Sequence, residues 1–379
     1  MGVGSSAPES RFTPSFRIRS TTEGGRVSPV VQLAISNTSR WLAYASSENL
    51  IWLWSMELFQ HVSVLTGHED TIWALGYSPD DRYLLSSSSD NTVRFWLPKN
   101  SECVFVLRPP GLLSWCFTWH NSHEGRFALG AVDGRVAVYQ LMPPVHPRDT
   151  KLPACDLISS WWAHSKSIVA IKFSDVDFNK LVTASKDGTF AIWSMTDQAT
   201  DTVACLMRIA GHVGPLGALV LNPVDNNIIA TAGDDCTIRI WDVREYRQPE
   251  DPPEAYHMPH QLINGQKGKP TQIVIDDELI ICSSDDGLVK IWNIPRSETP
   301  GISEAGLVAE LRYHGGSVNA LAWVGDNSSC FVSAGSDGSI LCWRVPLEWW
   351  KDKKRSQVRL PAQSNDEMEV LDGVTGQRI

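Results

Sequence analysis

The side chains of this chain best placed for chemistry are carboxylates in turns. Asp90, Asp133, Asp187, Asp235, Asp286 and Asp337 each stand six residues before a large aromatic: Trp96, Tyr139, Trp193, Trp241, Trp292 and Trp343. Glu48 and Trp54 form a weaker seventh pair. Glycine follows the aspartates at 133, 187, 286 and 337, and an Asp-Gly step can belong to a metal-binding loop. The same step is also a strong short-range signal for a tight β-hairpin. Seven copies of one spacing favour the hairpin, because a reactive centre needs one special constellation and this chain repeats an ordinary one.

Other signatures of chemistry are missing from the sequence. There is no Gly-x-Ser-x-Gly elbow, no glycine-rich phosphate loop and no His-Glu-x-x-His pair. The eight cysteines, at 103, 116, 155, 205, 236, 282, 330 and 342, show neither Cys-x-x-Cys nor zinc-ligand spacing. Several sit in apolar runs, so they are expected to be buried thiols in a reducing compartment. No metal, cofactor or catalytic residue is expected.

The elements that carry the turns are short strands. Around Asp90, residues 73–78 (WALGYS), 83–88 (YLLSSS), 92–97 (TVRFWL) and 103–107 (CVFVL) read as four strands. Pro79-Asp80-Asp81 and Asp90-Asn91 supply turns between them. Four such strands make one antiparallel sheet with two apolar faces, which is stable only when stacked between others. The third strands, such as TIRIW ending at Trp241 and LVKIW ending at Trp292, are rich in β-branched residues suited to that burial. Helical periodicity is nearly absent. An array of equivalent units must be capped or must close on itself. The intervals between aromatic anchors are 42, 43, 54, 48, 51 and 51 residues. The longer ones imply inserted loops within 140–160, 195–205, 244–266 and 295–306.

Bulk properties set outer limits. The 379 residues are 42% hydrophobic and 20% charged, ordinary for a soluble globular protein. A formal charge of -10 argues against generic nucleic-acid binding, which wants a basic face. The first residues lack the apolar core of a signal peptide, and no apolar run approaches the length of a membrane helix. An intracellular protein, cytoplasmic or nuclear, is expected.

Gly67-His68, Gly211-His212, the run Ser-Asp-Asn-Thr-Val-Arg-Phe-Trp96, the run Asp-Asp-Cys-Thr-Ile-Arg-Ile-Trp-Asp242 and the run Ser-Asp-Gly-Ser-Ile-Leu-Cys-Trp343 resemble the WD-repeat (WD40) family. The resemblance covers roughly residues 15–347 and implies an all-β, seven-bladed β-propeller of four-stranded antiparallel blades. Only Trp241-Asp242 keeps the family's terminal dipeptide. The expected organisation is a flexible start at 1–14, the propeller at 15–347 and a charged, disordered tail at 348–379. Residues 15–20 would supply the outer strand of the last blade and close the ring. Trp349-Trp350 would pack on that blade.

The resemblance also implies a buried His–Ser/Thr–Asp–Trp hydrogen-bond set in well-formed blades. By position these are His68, Ser86, Asp90 and Trp96 in blade 2, and His164, Thr183, Asp187 and Trp193 in blade 4. Blade 5 has His212, Thr231, Asp235 and Trp241, and blade 7 has His314, Ser333, Asp337 and Trp343. Such sets look like hydrolase triads, but four equal copies tied to a structural Trp read as framework. In blades 1, 3 and 6, Arg26, Pro110 and Gln266 stand near the expected His position, so packing alone should hold those blades.

Function is then expected on the ring itself: a non-enzymatic scaffold, a monomer within a larger complex, binding other proteins or peptide segments, with no nucleic-acid or membrane partner. The family's rim positions map onto Thr71, Trp73 and Ser89; Leu113, Trp115 and Val132; Ser167, Val169 and Lys186; Asp234; Lys269 and Asp285; and Asn319 and Ser336. Trp73, Leu113 and Trp115 would form an apolar docking patch on blades 2 and 3, with acidic Asp234 and Asp285 opposite; Lys186 and Arg244 are further expected partner contacts. The alternative is that one or both Trp rings fold over the channel mouth and only pack. Trp241-Asp242-Val243-Arg244 resembles the ending of cullin-RING ubiquitin-ligase receptors, which would make Arg244 an adaptor contact. A chromatin or histone-tail reader is a third expectation.

Overall fold

The computed structural model describes residues 14–22, 25–121, 125–142, 155–174, 179–195, 203–246, 259–276, 279–294, 306–325, 330–346 and 370–372. Seven antiparallel sheets succeed one another along the chain. Blade 1 runs through Val30–Ile35, Trp41–Ser46, Ile51–Ser55 and Gln60–Leu65. Blade 2 has Ile72–Tyr77, Leu84–Ser88, Val93–Leu97 and Glu102–Leu107. Blade 3 has Ser114–Trp119, Arg126–Ala131, Arg135–Leu141 and Cys155–Trp162. Blade 4 has Ile168–Phe173, Lys180–Ser185, Thr189–Met195 and Val203–Ala210. Blade 5 has Leu216–Leu221, Ile228–Gly233, Ile238–Asp242 and Gln261–Ile263. Blade 6 has Pro270–Ile275, Leu279–Ser284, Val289–Asn293 and Gly306–Leu311. Blade 7 has Val318–Trp323, Cys330–Gly335 and Ser339–Arg344.

Each innermost strand touches the innermost strands of both neighbouring blades, and the last touches the first, so the ring is closed. Closure comes from the N-terminal strand Phe16–Arg19, which pairs antiparallel with Ser339–Arg344 in the register Phe16↔Cys342 to Arg19↔Ser339. Phe16 and Ile18 are buried there among residues of blades 1 and 7. The core is a series of apolar layers between successive blades; Phe95, Trp119, Phe127 and Tyr139, for example, interlock blades 2 and 3. The only helix among the described residues is a single 3-10 turn, Val243–Tyr246.

The seven acidic turn residues are each followed by a residue of positive φ: Asn49 63°, Asn91 61°, Gly134 91°, Gly188 86°, Cys236 58°, Gly287 83° and Gly338 71°. These turns need the left-handed conformation, which glycine adopts at no steric cost. At Gly134 close approach adds a second reason, since a Cβ there would lie 2.1 Å from the His164 carbonyl oxygen.

The structure departs from the sequence expectations in three places. The third strand of a blade runs on to Leu141 and to Met195, and outer strands begin at Cys155 and Val203. Those two insertions are therefore narrower than 140–160 and 195–205, and the outer strand Gln261–Ile263 likewise falls inside the expected loop 244–266. Outer strands have one solvent face and mixed composition, so they lack the apolar signature of inner ones. Cys103 and Cys205, expected to be buried, are exposed on outer strands for the same reason, whereas Cys282, Cys330 and Cys342 are buried. Finally, Val370–Asp372 forms a strand inside the segment expected to be disordered, pairing parallel with Phe16–Arg19. Residues 1–13, 347–369 and 373–379, with Trp349-Trp350 among them, lie outside the described residues.

Candidate interaction rim

The four carried-over polar sets assemble with nearly identical geometry. In blade 2 the Trp96 indole N–H donates to Ser86 Oγ at 2.8 Å, Ser86 Oγ meets His68 Nε2 at 2.7 Å, and His68 Nδ1 meets Asp90 at 2.7 Å. Blade 4 repeats this through Trp193, Thr183, His164 and Asp187 at 2.9, 2.8 and 3.0 Å. Blade 5 does so through Trp241, Thr231, His212 and Asp235 at 2.8, 2.8 and 3.0 Å. Blade 7 does so through Trp343, Ser333, His314 and Asp337 at 2.8, 2.8 and 3.2 Å. Each aspartate also accepts the backbone N–H of the residue after its histidine: Glu69, Ser165, Val213 and Gly315.

One proton arrangement satisfies every atom. Because the indole can only donate, the hydroxyl accepts from it and donates onward to Nε2, and Nδ1–H donates to the carboxylate. That direction matches a hydrolase triad. The hydroxyls, however, are sealed: Ser86, Thr183, Thr231 and Ser333 are all 0% exposed. A nucleophile must reach a substrate atom, and these lie beneath their tryptophans. They brace the hairpin that carries each turn.

Electrostatics follow the same hydrogen bonds. Burial pushes Asp90 toward the neutral form, but hydrogen bonds from Thr92 and His68 outweigh it and hold the carboxyl below its ordinary range. Asp187, Asp235 and Asp337 behave alike, with burial opposed first by the hydrogen bonds from their histidines. Burial lowers the pKa of His68 and His212, favouring the neutral imidazole the network requires.

Blades 1, 3 and 6 differ at the hydroxyl position. Four residues before the turn acid stand Tyr44, Leu129 and Cys282. In blade 1 the Trp54 indole nitrogen is buried without a hydrogen-bond partner among the described residues. In blade 6, Gln266 occupies the histidine position, buried, with both amide atoms likewise unpartnered. Aromatic stacking substitutes in blade 3, where Phe127 and Tyr139 lie 5.5 Å apart and 15° from parallel. The replacement of the hydroxyl was readable in the sequence once the aspartates were aligned.

A feature with no sequence signal organises the rim. The innermost strand of every blade is bulged at its second residue: Val31, Trp73, Trp115, Val169, Gly217, Thr271 and Asn319. A bulge leaves one residue unpaired and re-aims its side chain. At Trp73, Trp115, Thr271 and Asn319 it turns the side chain toward an adjoining blade. Trp73 and Trp115 meet with ring centroids 5.1 Å apart at 54°. Thr271 Oγ1 donates to the Val318 carbonyl, and Asn319 Nδ2 donates to the Val30 carbonyl at 2.7 Å. Gly217 fits because the chain of blade 6 is too close for anything larger: a Cβ would lie 2.8 Å from the Pro270 carbonyl oxygen.

Two inter-blade groups result. In the first, Lys186 of blade 4 places its Nζ 4.0 Å from the centroid of the Trp115 ring, which itself leans on Trp73. Ser89 accepts from the Trp73 indole at 2.6 Å, and Ser167 Oγ donates to the Val132 carbonyl at 2.7 Å. Trp73, Leu113, Trp115 and Lys186 are all half-buried, so the aromatic rings pack on each other and still offer an edge to solvent. In the second, Lys269 of blade 6 bonds Asp234 of blade 5 through Nζ at 2.9 Å, while its own backbone N–H donates to Asp285 at 2.7 Å. The two acids expected as a free acidic rim are thus tied together around a lysine.

Arg244 lies on the 3-10 turn after blade 5. Its guanidinium grips Asp242 with two hydrogen bonds, at 2.8 and 2.6 Å, and lies 3.2 Å from Asp225. Its side chain remains 52% exposed. No group of three or more His, Cys, Asp or Glu side chains suited to a metal occurs among the described residues. None of their helices is long and apolar enough to cross a membrane.

This architecture defines a protein class: a closed seven-bladed β-propeller braced by repeated buried polar sets. The family model of the WD domain, G-beta repeat, matches residues 59–96, 203–242, 264–293 and 306–344, and the chain is similar to WD-repeat proteins in these four stretches and in its fold. The polar set of blade 4 is complete although no match reaches His164, Thr183, Asp187 or Trp193. Among relatives, the chain is 24% identical over 339 residues to WD repeat-containing protein 26 homolog of Arabidopsis thaliana, covering 86% of this chain and 50% of the relative. It is 29% identical over 180 residues to Protein SPA1-RELATED 4 of Arabidopsis thaliana, covering 44% and 21%. It is 26% identical over 149 residues to the probable cytosolic iron-sulfur protein assembly protein Ciao1 of Aedes aegypti, covering 34% and 42%. The chain spans half or less of the length of these relatives.

Proposed function

We propose that this propeller is a non-enzymatic protein-interaction scaffold whose principal docking surface is the rim of blades 2 to 4. The observation that carries the reading is the stack Trp73–Trp115–Lys186, which joins three blades and keeps an aromatic edge and a cation at the surface. Rigid aromatics on a fixed frame anchor interfaces with little entropy to lose. Leu113 extends the apolar area. The fitting partner is a peptide segment of another protein with an apolar side chain for Trp73, Leu113 and Trp115 and a carboxylate for Lys186. Asp234 and Asp285, already bound by Lys269, contribute shape more than free charge. The propeller acts as a monomer within a larger complex.

A histone-tail reader is less well supported, because the Trp115 face that would receive a cation already holds Lys186. A ubiquitin-ligase receptor reading rests on the half-exposed Arg244, and loss of adaptor pull-down in Arg244→Ala would support it. The test of the main reading is affinity purification with mass spectrometry on the wild type, Lys186→Glu and the Trp73→Ala/Trp115→Ala pair. Loss of the same partners in both variants, with Lys186→Glu as stable as wild type, is the expected result. Unchanged partners in both would remove the rim from consideration.

A further inference from the structure

The closing strand Phe16–Arg19 is paired on both edges. One edge lies antiparallel to Ser339–Arg344, and the other runs parallel to Val370–Asp372 in the register Arg17↔Val370, Ile18↔Leu371, Arg19↔Asp372. Blade 7 thus has five strands, and every other blade has four among the described residues. The extra strand sits on the one blade whose fourth strand comes from the far end of the chain. That strand is held to the ring by pairing and side-chain packing, since no peptide bond joins it to the strand beside it.

The chemistry of the two segments matches. Phe16 and Ile18 are buried, while Arg17 is half-buried against Ser339 and Arg19 is exposed. The exposed Arg19 stands in register opposite Asp372. In the sequence Asp366, Glu367 and Glu369 precede this strand, and Arg17 and Arg19 make the strand it pairs with basic. Ser20 N–H donates to the Gly338 carbonyl at 2.7 Å, so strand alternation turns the Arg17 and Arg19 N–H groups outward. An uncovered edge of this kind invites pairing with another chain.

We propose that the outer edge of blade 7 is a strand-docking site for an acidic β-segment, and that its resident occupant is the chain's own strand Val370–Asp372. The strand acts in cis as a latch over the ring closure. While it is docked, the edge is closed to other chains and the N-terminal strand is clamped from both sides.

Hydrogen exchange of the 15–20 backbone tests the idea on the full chain, on a variant lacking residues 365–379, and on Leu371→Pro, which removes a strand N–H without shortening the chain. Exchange at Arg17 and Arg19 should quicken about tenfold or more in both variants, with circular dichroism unchanged. A synthetic peptide of residues 364–376 should restore protection to the truncated protein. The change Asp372→Arg should also speed exchange, and adding Arg19→Asp should reverse it. Unchanged exchange in both variants would overturn the proposal. Protection that rises with protein concentration together with a dimer in light scattering would overturn the cis assignment, placing a second copy's strand on the edge.

Discussion

Replacing Thr231 by Val tests whether the polar sets brace the ring. Thr231 is fully buried; its hydroxyl accepts from Trp241 at 2.8 Å and serves His212 at 2.8 Å. Valine nearly matches threonine in volume, so no cavity opens. What changes is that the indole N–H and the imidazole Nε2 both lose their partner away from water. Each orphaned group costs about 1–3 kcal/mol, so Thr231→Val should cost roughly 2–6 kcal/mol. Thr231→Ser keeps the hydroxyl and loses one methyl, about 1 kcal/mol. At the corresponding position in blade 6, Cys282→Val removes only a weak thiol donor and should stay within about 1 kcal/mol. If the ring unfolds as one unit, its length converts the Thr231→Val loss into about 3–9 °C of Tm. Urea unfolding followed by tryptophan fluorescence, alongside a thermal scan, compares the three variants. A Thr231→Val protein no less stable than Thr231→Ser would refute the bracing argument, because the two differ in the hydroxyl.

Stability should fall on acidification in two stages of the same sign. His68 and His212 have folded pKa values below 6.5, so the unfolded chain takes up protons first as pH drops through that value. Asp90, Asp187, Asp235 and Asp337 have folded values below 3.8, so their contribution is complete above that value and disappears as pH falls through the folded ones. A Tm that stayed flat from pH 7.5 to 3 would contradict both assignments. Cys236 holds a φ of 58° where Gly134, Gly188, Gly287 and Gly338 occupy the equivalent turns, so Cys236→Gly should raise stability by about 1 kcal/mol in urea titrations. Gln266→His combined with Cys282→Thr should build a fifth polar set in blade 6. A gain of about 1 kcal/mol or more is expected from the pair and little from either change alone, measured as a double-mutant cycle.

The local rules of this protein were legible along the chain. The acid-to-aromatic spacing marks each hairpin because a tight turn needs a small polar residue and a left-handed successor, and both are properties of a few neighbouring residues. The β-branched third strands announce burial on two faces for the same local reason. Seven such units, with Phe16–Arg19 left over at one end, were enough to indicate a closed ring. The four sets from His68 to Trp343 were legible only through family resemblance, since their bonded members lie 10 to 23 residues apart and meet by hairpin geometry.

What the tertiary structure alone decided is how blades meet. The inner-strand bulges depend on strand pairing, a relation between segments, so nothing within WALGYS marks Trp73 as the residue to be turned out, and only the family resemblance put it on the rim. The contact of Trp73 with Trp115, the seat of Lys186 on Trp115 and the grip of Lys269 on Asp234 join side chains 35 to 71 positions apart in sequence. The pairing of Val370–Asp372 with Phe16–Arg19 spans nearly the whole chain, and a three-residue strand has too little pattern to be seen alone. Periodicity encodes what each unit buries; the placement of neighbouring units decides which side chains remain at the surface to meet a partner.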